Sequence, residues 1–283
     1  MFVPGGRAEL LEKAGRFSAD VLCLDLEESV PPEEKERARE LVGEAVGRLV
    51  EAGRSVQVRL NPIESGLTRD DLAAVVRPGL AGVLLAKAQE AQDVRDVDVL
   101  LREQELAKDV RPGATELTAA IESTGALLRC EEISHASTRL VALMLGGEDF
   151  TFDLGVQRTR EGRELDHPRG VVATCARAAG LVAFDTPWAD IEDIEGLVAD
   201  AERAKGLGFT GKYVIHPNHV EPVHGVFTPR ESEVAYAKKL LAEWEKAQAQ
   251  GLGAVQVDGR MVDRPIAERA RSVVQQAEAI ASR

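Results

Sequence analysis

The sequence predicts an α/β fold, and more narrowly a (β/α)8 TIM barrel with a C-terminal helix–hairpin–helix extension. Strand-like and helix-like segments alternate along most of the chain, which is typical of βα units in a parallel sheet. There are eight strand-like segments, the number that a closed barrel requires. No glycine-rich dinucleotide-binding motif follows any of them, which weakens the alternative of an open, doubly wound sheet.

The predicted strands are short and apolar, and amphipathic patterns between them predict helices. The strands are Met1–Val3, Val21–Leu24, Ser55–Leu60, Gly82–Ala86, Thr115–Ile121, Leu140–Leu145, Val182–Phe184 and Tyr213–Ile215. The helices include Glu9–Phe17, Pro32–Ala52, Ala91–Lys108 and Ile191–Lys205. A chain of 283 residues is long for one domain, but α/β barrels of this size form a single unit.

The pattern changes after the eighth strand. Pro229–Gln250 reads as one long charged helix, Asp258-Gly259 predicts a hairpin turn, and a final helix begins near Pro265. We therefore expect a barrel domain over residues 1–227 and an extension over residues 228–283. A barrel closes without this extension, so we expect the extension to dock on its own barrel or on that of a neighbouring subunit.

Composition limits the classes of partner. The formal net charge of -13 argues against nucleic acid, whose phosphates would be repelled. The three cysteines are scattered, without the paired spacing of zinc or redox motifs. The sequence has neither a signal peptide nor an apolar run long enough to span a membrane, so we expect a cytoplasmic protein without a membrane partner.

Two apolar strands in the middle of the chain end in carboxylates. Glu122 follows one strand, and Glu148 and Asp149 follow the next. An acid at the end of a buried strand is costly to leave unpaired, and neighbouring parallel strands would bring these acids to one rim. Two carboxylates completed by water and substrate oxygens suit Mg²⁺, whereas the histidines and cysteines lack zinc-ligand spacing.

Other polar residues also follow predicted strands. Arg59 can bind a substrate carboxylate or a developing oxyanion, or it can pair with Asp25 or Glu27, and these roles can coexist. Ser123-Thr124 and Asp185-Thr186-Pro187 are explained equally well as caps and turns. The segments at this predicted rim are Pro4-Gly5-Gly6-Arg7, Asp25-Leu26-Glu27-Glu28, Arg59-Leu60-Asn61-Pro62, Lys87, Glu122-Ser123-Thr124, Gly147-Glu148-Asp149, Asp185 and His216-Pro217.

These segments and their order resemble the citrate lyase β-subunit-like family, which includes malyl-CoA and citramalyl-CoA lyases. The resemblance covers essentially the whole chain. The motifs that carry it are Phe2-Val3-Pro4-Gly5 with Arg7, Leu24-Asp25-Leu26-Glu27, Arg59-Leu60-Asn61-Pro62, Ile121-Glu122-Ser123-Thr124, Gly147-Glu148-Asp149, Gly211-Lys212, Ile215-His216-Pro217 and the stretch from Asp258 to Pro265.

The resemblance implies a homo-oligomer, a trimer or a hexamer, that cleaves a 3-hydroxy-3-carboxyacyl thioester into an acetyl-type thioester and a 2-keto acid. It implies Glu122 and Asp149 as Mg²⁺ ligands and Arg59 as a catalytic and substrate-binding residue. It also implies Asp263 as an acid/base delivered by the adjacent subunit. The remaining implied residues are Pro4, Arg7 and Lys13, near the substrate and the phosphates of its thioester carrier, and Asp25, Glu27 and Glu28, behind the metal ligands.

Two features depart from the family pattern. The family usually carries Leu-Glu-Asp after the second strand, whereas the second acid here is Glu28. We expect Glu28 to hold metal-bound water and not the metal itself. Ala86 replaces a usual proline, and Ala88-Gln89 replaces an apolar-Glu pair.

From its local sequence alone, Asp263 is better explained as the cap of the final helix.

Several functions follow from these residues. The leading one is a Mg²⁺-dependent lyase for malyl-, citramalyl- or citryl-CoA, with thioesterase activity as a further capacity. A citryl lyase subunit that acts on an acyl-carrier-protein thioester is the first alternative. A pyruvate-class metal aldolase and a non-catalytic binding protein are the others, and the aldolase would have no use for the Asp263 motif.

Overall fold

The computed structural model describes residues 1–281 and contains two compact units. The first unit is Met1–Val223, and the second begins at His224. Among the described residues, no helix combines the length and the apolar character that are needed to cross a bilayer.

The first unit is built on an eight-stranded parallel sheet in which each strand pairs with the next one along the chain. The backbone N–H of Phe2 donates to Val214 O at 2.8 Å, which joins the first strand to the chain just after the eighth. The strands are β1 (Phe2–Pro4), β2 (Leu22–Asp25), β3 (Val56–Leu60), β4 (Gly82–Leu85), β5 (Glu116–Ile121), β6 (Leu140–Leu145), β7 (Val182–Asp185) and β8 (Gly211–Lys212). The predicted (β/α)8 fold is confirmed.

The eighth strand lies two residues earlier than predicted. The prediction followed the apolar run from Tyr213 to Ile215, whereas the ladder with β7 is formed by Gly211 and Lys212. Lys212 is buried although it is charged, because it pairs with acids inside the fold. An apolar pattern does not include a charged residue, so the strand that contains Lys212 was predicted two residues too late.

Helices and short turns connect the strands. The helices are α1 (Ala8–Lys13), α2 (Lys35–Glu51), α3 (Thr68–Val75), α4 (Ala91–Ala107), α5 (Thr124–Leu128), α6 (Cys130–Ser134), α7 (Gly147–Leu154), α8 (Asp166–Ala178), α9 (Ile194–Gly206) and α10 (Val220–Phe227). The 3₁₀ turns are Ala14–Arg16, Pro32–Glu34, Ile63–Ser65, Arg163–Leu165 and Pro217–His219. The amphipathic spacing of α2 buries Val42, Val46 and Leu49.

The barrel interior is filled with side chains. A buried cluster contains Cys23, Leu84, Ala120, Met144 and Tyr213. The ring of Phe2 stacks on that of Tyr213, with the centroids 4.9 Å apart. Polar atoms in this layer are paired with one another, since Gln57 donates to Thr118 Oγ1 at 3.0 Å and accepts from Tyr213 OH at 2.6 Å. The interior is thus a packed core that forms a floor beneath the carboxyl ends of the strands.

The second unit contains a helix, a hairpin and a helix. They are α11 (Glu231–Ala249), β9 (Val255–Val257), β10 (Arg260–Val262) and α12 (Arg264–Ala281). Asp258 and Gly259 have φ values of 48° and 78°, which suit the tight turn that the Asp-Gly pair predicts. A small core of its own holds this unit together, formed by Ala237, Leu240, Trp244, Val257, Val262, Ala267 and Ala270.

Candidate active site

A cavity of about 690 Å³ opens in the first unit where the barrel strands end. Its size is in the range of small-molecule sites. The residues that line it are Phe2, Pro4, Asp25, Glu28, Ser29, Arg59, Glu122, Met144, Gly146, Gly147, Glu148, Asp149, Phe152, Thr186, Pro187, Ala189 and Ile215. The predicted site residues Pro4, Asp25, Glu28, Arg59, Glu122 and Asp149 are among them.

Glu122 lies at the end of β5 and is only 5 % exposed. Its Oε2 accepts a hydrogen bond from the backbone N–H of Lys87 at 2.7 Å. Gly146, after the neighbouring strand β6, leaves room for this carboxylate, since a Cβ on Gly146 would overlap Glu122 Oε1. Burial raises the pKa of Glu122 to about 7, against the opposing effect of the Arg59 charge.

Asp149 lies in the first turn of α7, which starts directly after β6. The backbone N–H of Gly147 donates to Thr186 Oγ1 at 2.9 Å and fixes the start of this helix. Because β5 and β6 are paired, with Ile121 opposite Leu145, the structure brings Glu122 and Asp149 to the same cavity. They face it from neighbouring strands, as the sequence pattern predicts.

Arg59 forms a two-pronged ion pair with Asp25 across β2 and β3. Arg59 Nε and Nη2 each donate to a different Asp25 oxygen at 2.7 Å, and the guanidinium lies 4.7 Å from the ring centroid of Phe2. Burial alone would raise the pKa of Asp25, but the hydrogen bonds and charge of Arg59 hold it below its usual range. Nη1 of Arg59 donates to neither Asp25 oxygen and lies 3.2 Å from Glu27 Oε2. Arg59 also lines the cavity and has N–H groups left over, so these ion pairs and substrate binding are compatible.

Lys87 lies between the remaining acids of the rim. Its Nζ is 3.0 Å from Glu27 Oε1, 3.5 Å from Glu28 Oε2 and 3.4 Å from Asp149 Oδ1. The sequence predicts Lys87 at the rim but indicates no role for it. Its position after an apolar strand was the available signal, whereas its convergence on three carboxylates depends on a left-handed backbone that the sequence does not reveal.

Lys35 supports the loop that carries Glu27 and Glu28. Its ammonium donates to Leu26 O and Glu27 O at 2.7 Å each and to Asn61 Oδ1 at 2.6 Å. All three of its donors are therefore used within the protein. Lys35 was not predicted as a site residue, because in the sequence it is one lysine among the charged residues at the start of a helix.

Three predicted residues have other contacts in the structure. Arg7 is exposed and pairs with Glu9 at 2.7 Å, and Lys13 is exposed in the last turn of α1. Asp263 belongs to the second unit, where its Oδ1 accepts from the backbone N–H of Ile266 at 3.3 Å. This is the helix cap that its local sequence suggested, and it leaves the second carboxylate oxygen of Asp263 available.

The donor set at the rim fits a hard cation. Within residues 1–281, no three His, Cys, Asp or Glu side chains form a ready-made metal cage. Glu122 and Asp149 would instead supply two carboxylates, and water and substrate oxygens would complete the shell, as is usual for Mg²⁺. The buried Oε2 of Glu27 forms no hydrogen bond but lies 3.2 Å from Arg59 Nη1, so Glu27 is held by ion pairs with Arg59 and Lys87.

Known proteins resemble this chain over nearly its whole length. Residues 1–217 match the model of the HpcH/HpaI aldolase/citrate lyase family. Citrate lyase subunit beta of Escherichia coli (strain K12) is 39 % identical over 278 residues, which cover 98 % of this chain and 92 % of that protein. L-malyl-CoA/beta-methylmalyl-CoA lyase of Rhodobacter capsulatus is 34 % identical over 299 residues, with coverage of 98 % and 93 %.

A solved structure is similar in both sequence and shape. It is the crystal structure of the protein CitE from Mycobacterium tuberculosis in complex with magnesium, acetoacetate and coenzyme A. That chain is 27 % identical, with a TM-score of 0.78 and coverage of 98 % of this chain and 96 % of its own length.

Proposed function

This chain belongs to the HpcH/HpaI aldolase/citrate lyase family, and from that premise we propose that it is a Mg²⁺-dependent carbon–carbon lyase. Its substrate would be a 3-hydroxy-3-carboxyacyl thioester of the malyl, citramalyl or citryl type. The products would be an acetyl-type thioester and a 2-keto acid. The observation that carries the proposal is the convergence of Arg59, Glu122 and Asp149 on one cavity at the carboxyl ends of the strands.

The residues can be assigned to the steps of such a cleavage. Glu122 and Asp149 would hold Mg²⁺, which supplies Lewis acidity toward the substrate oxygens. Arg59 would bind a substrate carboxylate, or the oxygen on which charge develops, through the N–H groups that its ion pairs with Asp25 and Glu27 leave unused. The hydroxyl proton must leave as the carbon–carbon bond breaks, and a proton must reach the released thioester carbon. We assign this proton handling to Asp263.

We also propose that the protein works as a homo-oligomer, a trimer or a hexamer, in which residues 228–283 of one subunit complete the barrel site of the next. Asp263 has a carboxylate oxygen left over from its capping bond, as a shared acid requires. The exposed Arg7 and Lys13 would contact the phosphates of the thioester carrier. The three free cysteines support a cytoplasmic location, because a reducing compartment keeps thiols unpaired.

The test is an activity panel with purified protein and Mg²⁺. Malyl-CoA, citramalyl-CoA, citryl-CoA and a citryl thioester of an acyl-carrier protein are supplied in turn, and glyoxylate, pyruvate or oxaloacetate is measured. We expect keto acid from at least one thioester, and its loss with EDTA. Free thiol without keto acid would show thioesterase activity alone and contradict the lyase proposal.

The choice of carrier follows from the same panel. The likeness to citrate lyase subunit beta favours an acyl-carrier-protein thioester, and the likeness to malyl-CoA lyase favours a CoA thioester.

A matched pair of variants controls the assay. Glu122→Gln should abolish turnover, whereas Glu103→Gln, in an exposed ion pair with Arg69, should leave it unchanged.

A further inference from the structure

Lys87 contacts both candidate metal ligands, and it does so with two different groups. Its backbone N–H donates to Glu122 Oε2 at 2.7 Å, while its side-chain Nζ lies 3.4 Å from Asp149 Oδ1. These acids come from different strands of the barrel. One residue therefore spans the pair of carboxylates that the proposed function assigns to Mg²⁺.

The backbone of Lys87 is held in an unfavourable conformation. Its φ of 50° lies in the left-handed region, which glycine adopts freely and which side chains with a Cβ disfavour. Glycine would adopt this backbone without strain and would still supply the N–H that Glu122 accepts. The strain is therefore explained by something that only the side chain provides, and strained residues of this kind cluster at functional sites.

The side chain supplies positive charge where acids are crowded. Glu27 and Glu28 lie 3.0 and 3.5 Å from the ammonium, on the side opposite the strand of Glu122. Arg59 is engaged by Asp25 through two hydrogen bonds and pairs with Glu27 at 3.2 Å, and the Lys35 ammonium is used by three oxygens of its own. Lys87 is thus the cation that reaches Asp149, and it occupies the neighbourhood that a divalent ion would enter.

We propose that Lys87 is a tethered counter-cation that holds the rim carboxylates together in the metal-free protein and competes with the divalent ion for Asp149. It thereby sets the affinity of the site for Mg²⁺ and allows the ion to leave. The inference rests on the proposed function, because it takes Glu122 and Asp149 as the metal-binding pair.

The experiment titrates metal-free protein with MgCl₂ at pH 8 by calorimetry and measures its melting temperature with EDTA and with Mg²⁺. Lys87→Met removes the charge and keeps a long side chain. Lys87→Gly removes the charge and also relieves the backbone strain, so it stays informative if the methionine variant folds poorly. Lys87→Arg keeps the charge. Lys239→Met, in an exposed ion pair with Asp258, removes the same charge from the second unit.

We expect the methionine and glycine variants to bind Mg²⁺ about tenfold more tightly than wild type, because a positive charge beside the ion has been removed. Their melting temperatures should rise more on addition of Mg²⁺ than that of wild type. The arginine variant and Lys239→Met should bind like wild type. Equal or weaker Mg²⁺ binding by both charge-removing variants, with wild type binding normally, overturns the inference alone. Absence of Mg²⁺ binding by wild type overturns the proposed function as well.

Discussion

The first unit contains two clusters of charged side chains, and they differ in charge balance and in exposure to solvent. The rim cluster comprises Asp25, Glu27, Glu28, Arg59, Lys87, Glu122 and Asp149. The β7–β8 cluster comprises Arg169, Asp185, Asp200 and Lys212. The β7–β8 cluster is buried throughout, and Asp25, Glu27 and Glu122 are the buried acids of the rim cluster. Buried charge is expensive without partners, so the way each cluster is neutralised indicates its task.

The β7–β8 cluster is neutral and closed. Asp185 accepts from Arg169 at 2.9 and 3.0 Å and from Lys212 at 2.6 Å, and Asp200 accepts from the same two cations at 2.7 and 2.6 Å. Two cations match two carboxylates, and no side chain in the cluster is more than 2 % exposed. Such a cluster has no use for a further ion, and its effect is to tie α8 and α9 to β7 and β8.

The rim cluster is unbalanced. Its five carboxylates face two cations, which leaves an excess of three negative charges when all are ionised. Uncompensated buried acids destabilise a fold and persist where a ligand supplies the missing charge. The cluster with the charge excess contributes Asp25, Glu28, Arg59, Glu122 and Asp149 to the lining of the cavity, whereas the neutral cluster contributes none of its residues.

One residue connects the two clusters. Arg158 Nη1 donates to Glu148 Oε1 at 2.5 Å and to Pro187 O at 2.8 Å, while its Nη2 lies 3.6 Å from Asp200 Oδ2. Glu148 directly precedes Asp149 in the first turn of α7. Arg158 thus links Asp200 of the neutral cluster to the helical turn that carries Asp149.

Removing an acid from the balanced cluster should give the largest effect on stability. Asp185→Ala leaves Arg169 and Lys212 buried with only Asp200 to neutralise them. Because an unpaired buried charge costs far more than an exposed one, we expect the free energy of unfolding to fall by about 3–5 kcal/mol. Urea denaturation followed by circular dichroism measures this change.

The exposed pair of Lys239 and Asp258 provides the control for charge removal. Lys239→Met should leave the unfolding midpoint unchanged, because solvent screens that pair. An unfolding midpoint for Asp185→Ala equal to that of wild type would mean that the β7–β8 cluster does not stabilise the fold.

Removing an acid from the unbalanced rim cluster should instead raise the free energy of unfolding. Glu122→Gln keeps the size of the side chain and an acceptor for the Lys87 N–H, but it removes one excess buried charge. In EDTA at pH 8 we expect the variant to be roughly 1–3 kcal/mol more stable than wild type. It should nevertheless lack lyase activity, because the proposed metal-binding pair is lost.

The pH dependence of the stability difference between Glu122→Gln and wild type distinguishes the removal of a buried charge from a change in packing. The pKa of Glu122, about 7 in the folded protein, lies above its ordinary value of 4.5. The folded state therefore binds the proton more tightly, and the contribution of Glu122 to stability falls as pH rises from about 4.5 to 7. The advantage of the variant should be near zero at pH 4.5 and largest above pH 7. An advantage that is constant across this range would contradict the electrostatic origin.

Sequence patterns predicted the rim well because its acids end apolar strands, and strand ends in a parallel barrel share one edge. Arg59, Glu122 and Asp149 were found in this way. The β7–β8 cluster was not predicted, because Asp185 reads equally well as a turn residue. Its partner Lys212 is charged and directly precedes the apolar run from Tyr213 to Ile215, so the eighth strand was predicted two residues too late.

The role of Lys87 could not be predicted for a different reason. Its contacts depend on one backbone angle and on side chains from three separate loops, and no local pattern encodes either. Asp263 lies at the other extreme. Its local sequence predicts a cap and the structure shows one, while the catalytic role that we propose for it comes from the resemblance alone.

The smallest expected change in stability belongs to Asp263→Asn. Asparagine caps helices as well as aspartate does, so the free energy of unfolding should change by less than about 0.5 kcal/mol. Lyase activity should nevertheless disappear, because an amide cannot exchange a proton with the substrate. Asp263→Ala, measured in parallel, should cost about 1 kcal/mol through loss of the cap. Full activity of the asparagine variant would reduce Asp263 to a capping residue.

Mixing two inactive variants tests where Asp263 acts. In a mixed oligomer, the intact barrel of an Asp263→Asn subunit can receive the intact tail of a Glu122→Gln neighbour. If tails are shared, co-expression should restore about a quarter of wild-type activity in a random equal mixture. If each tail serves its own barrel, every site in every mixed oligomer carries one defect and no activity returns. The unbalanced rim would then be completed within one chain, and a monomer would suffice for catalysis.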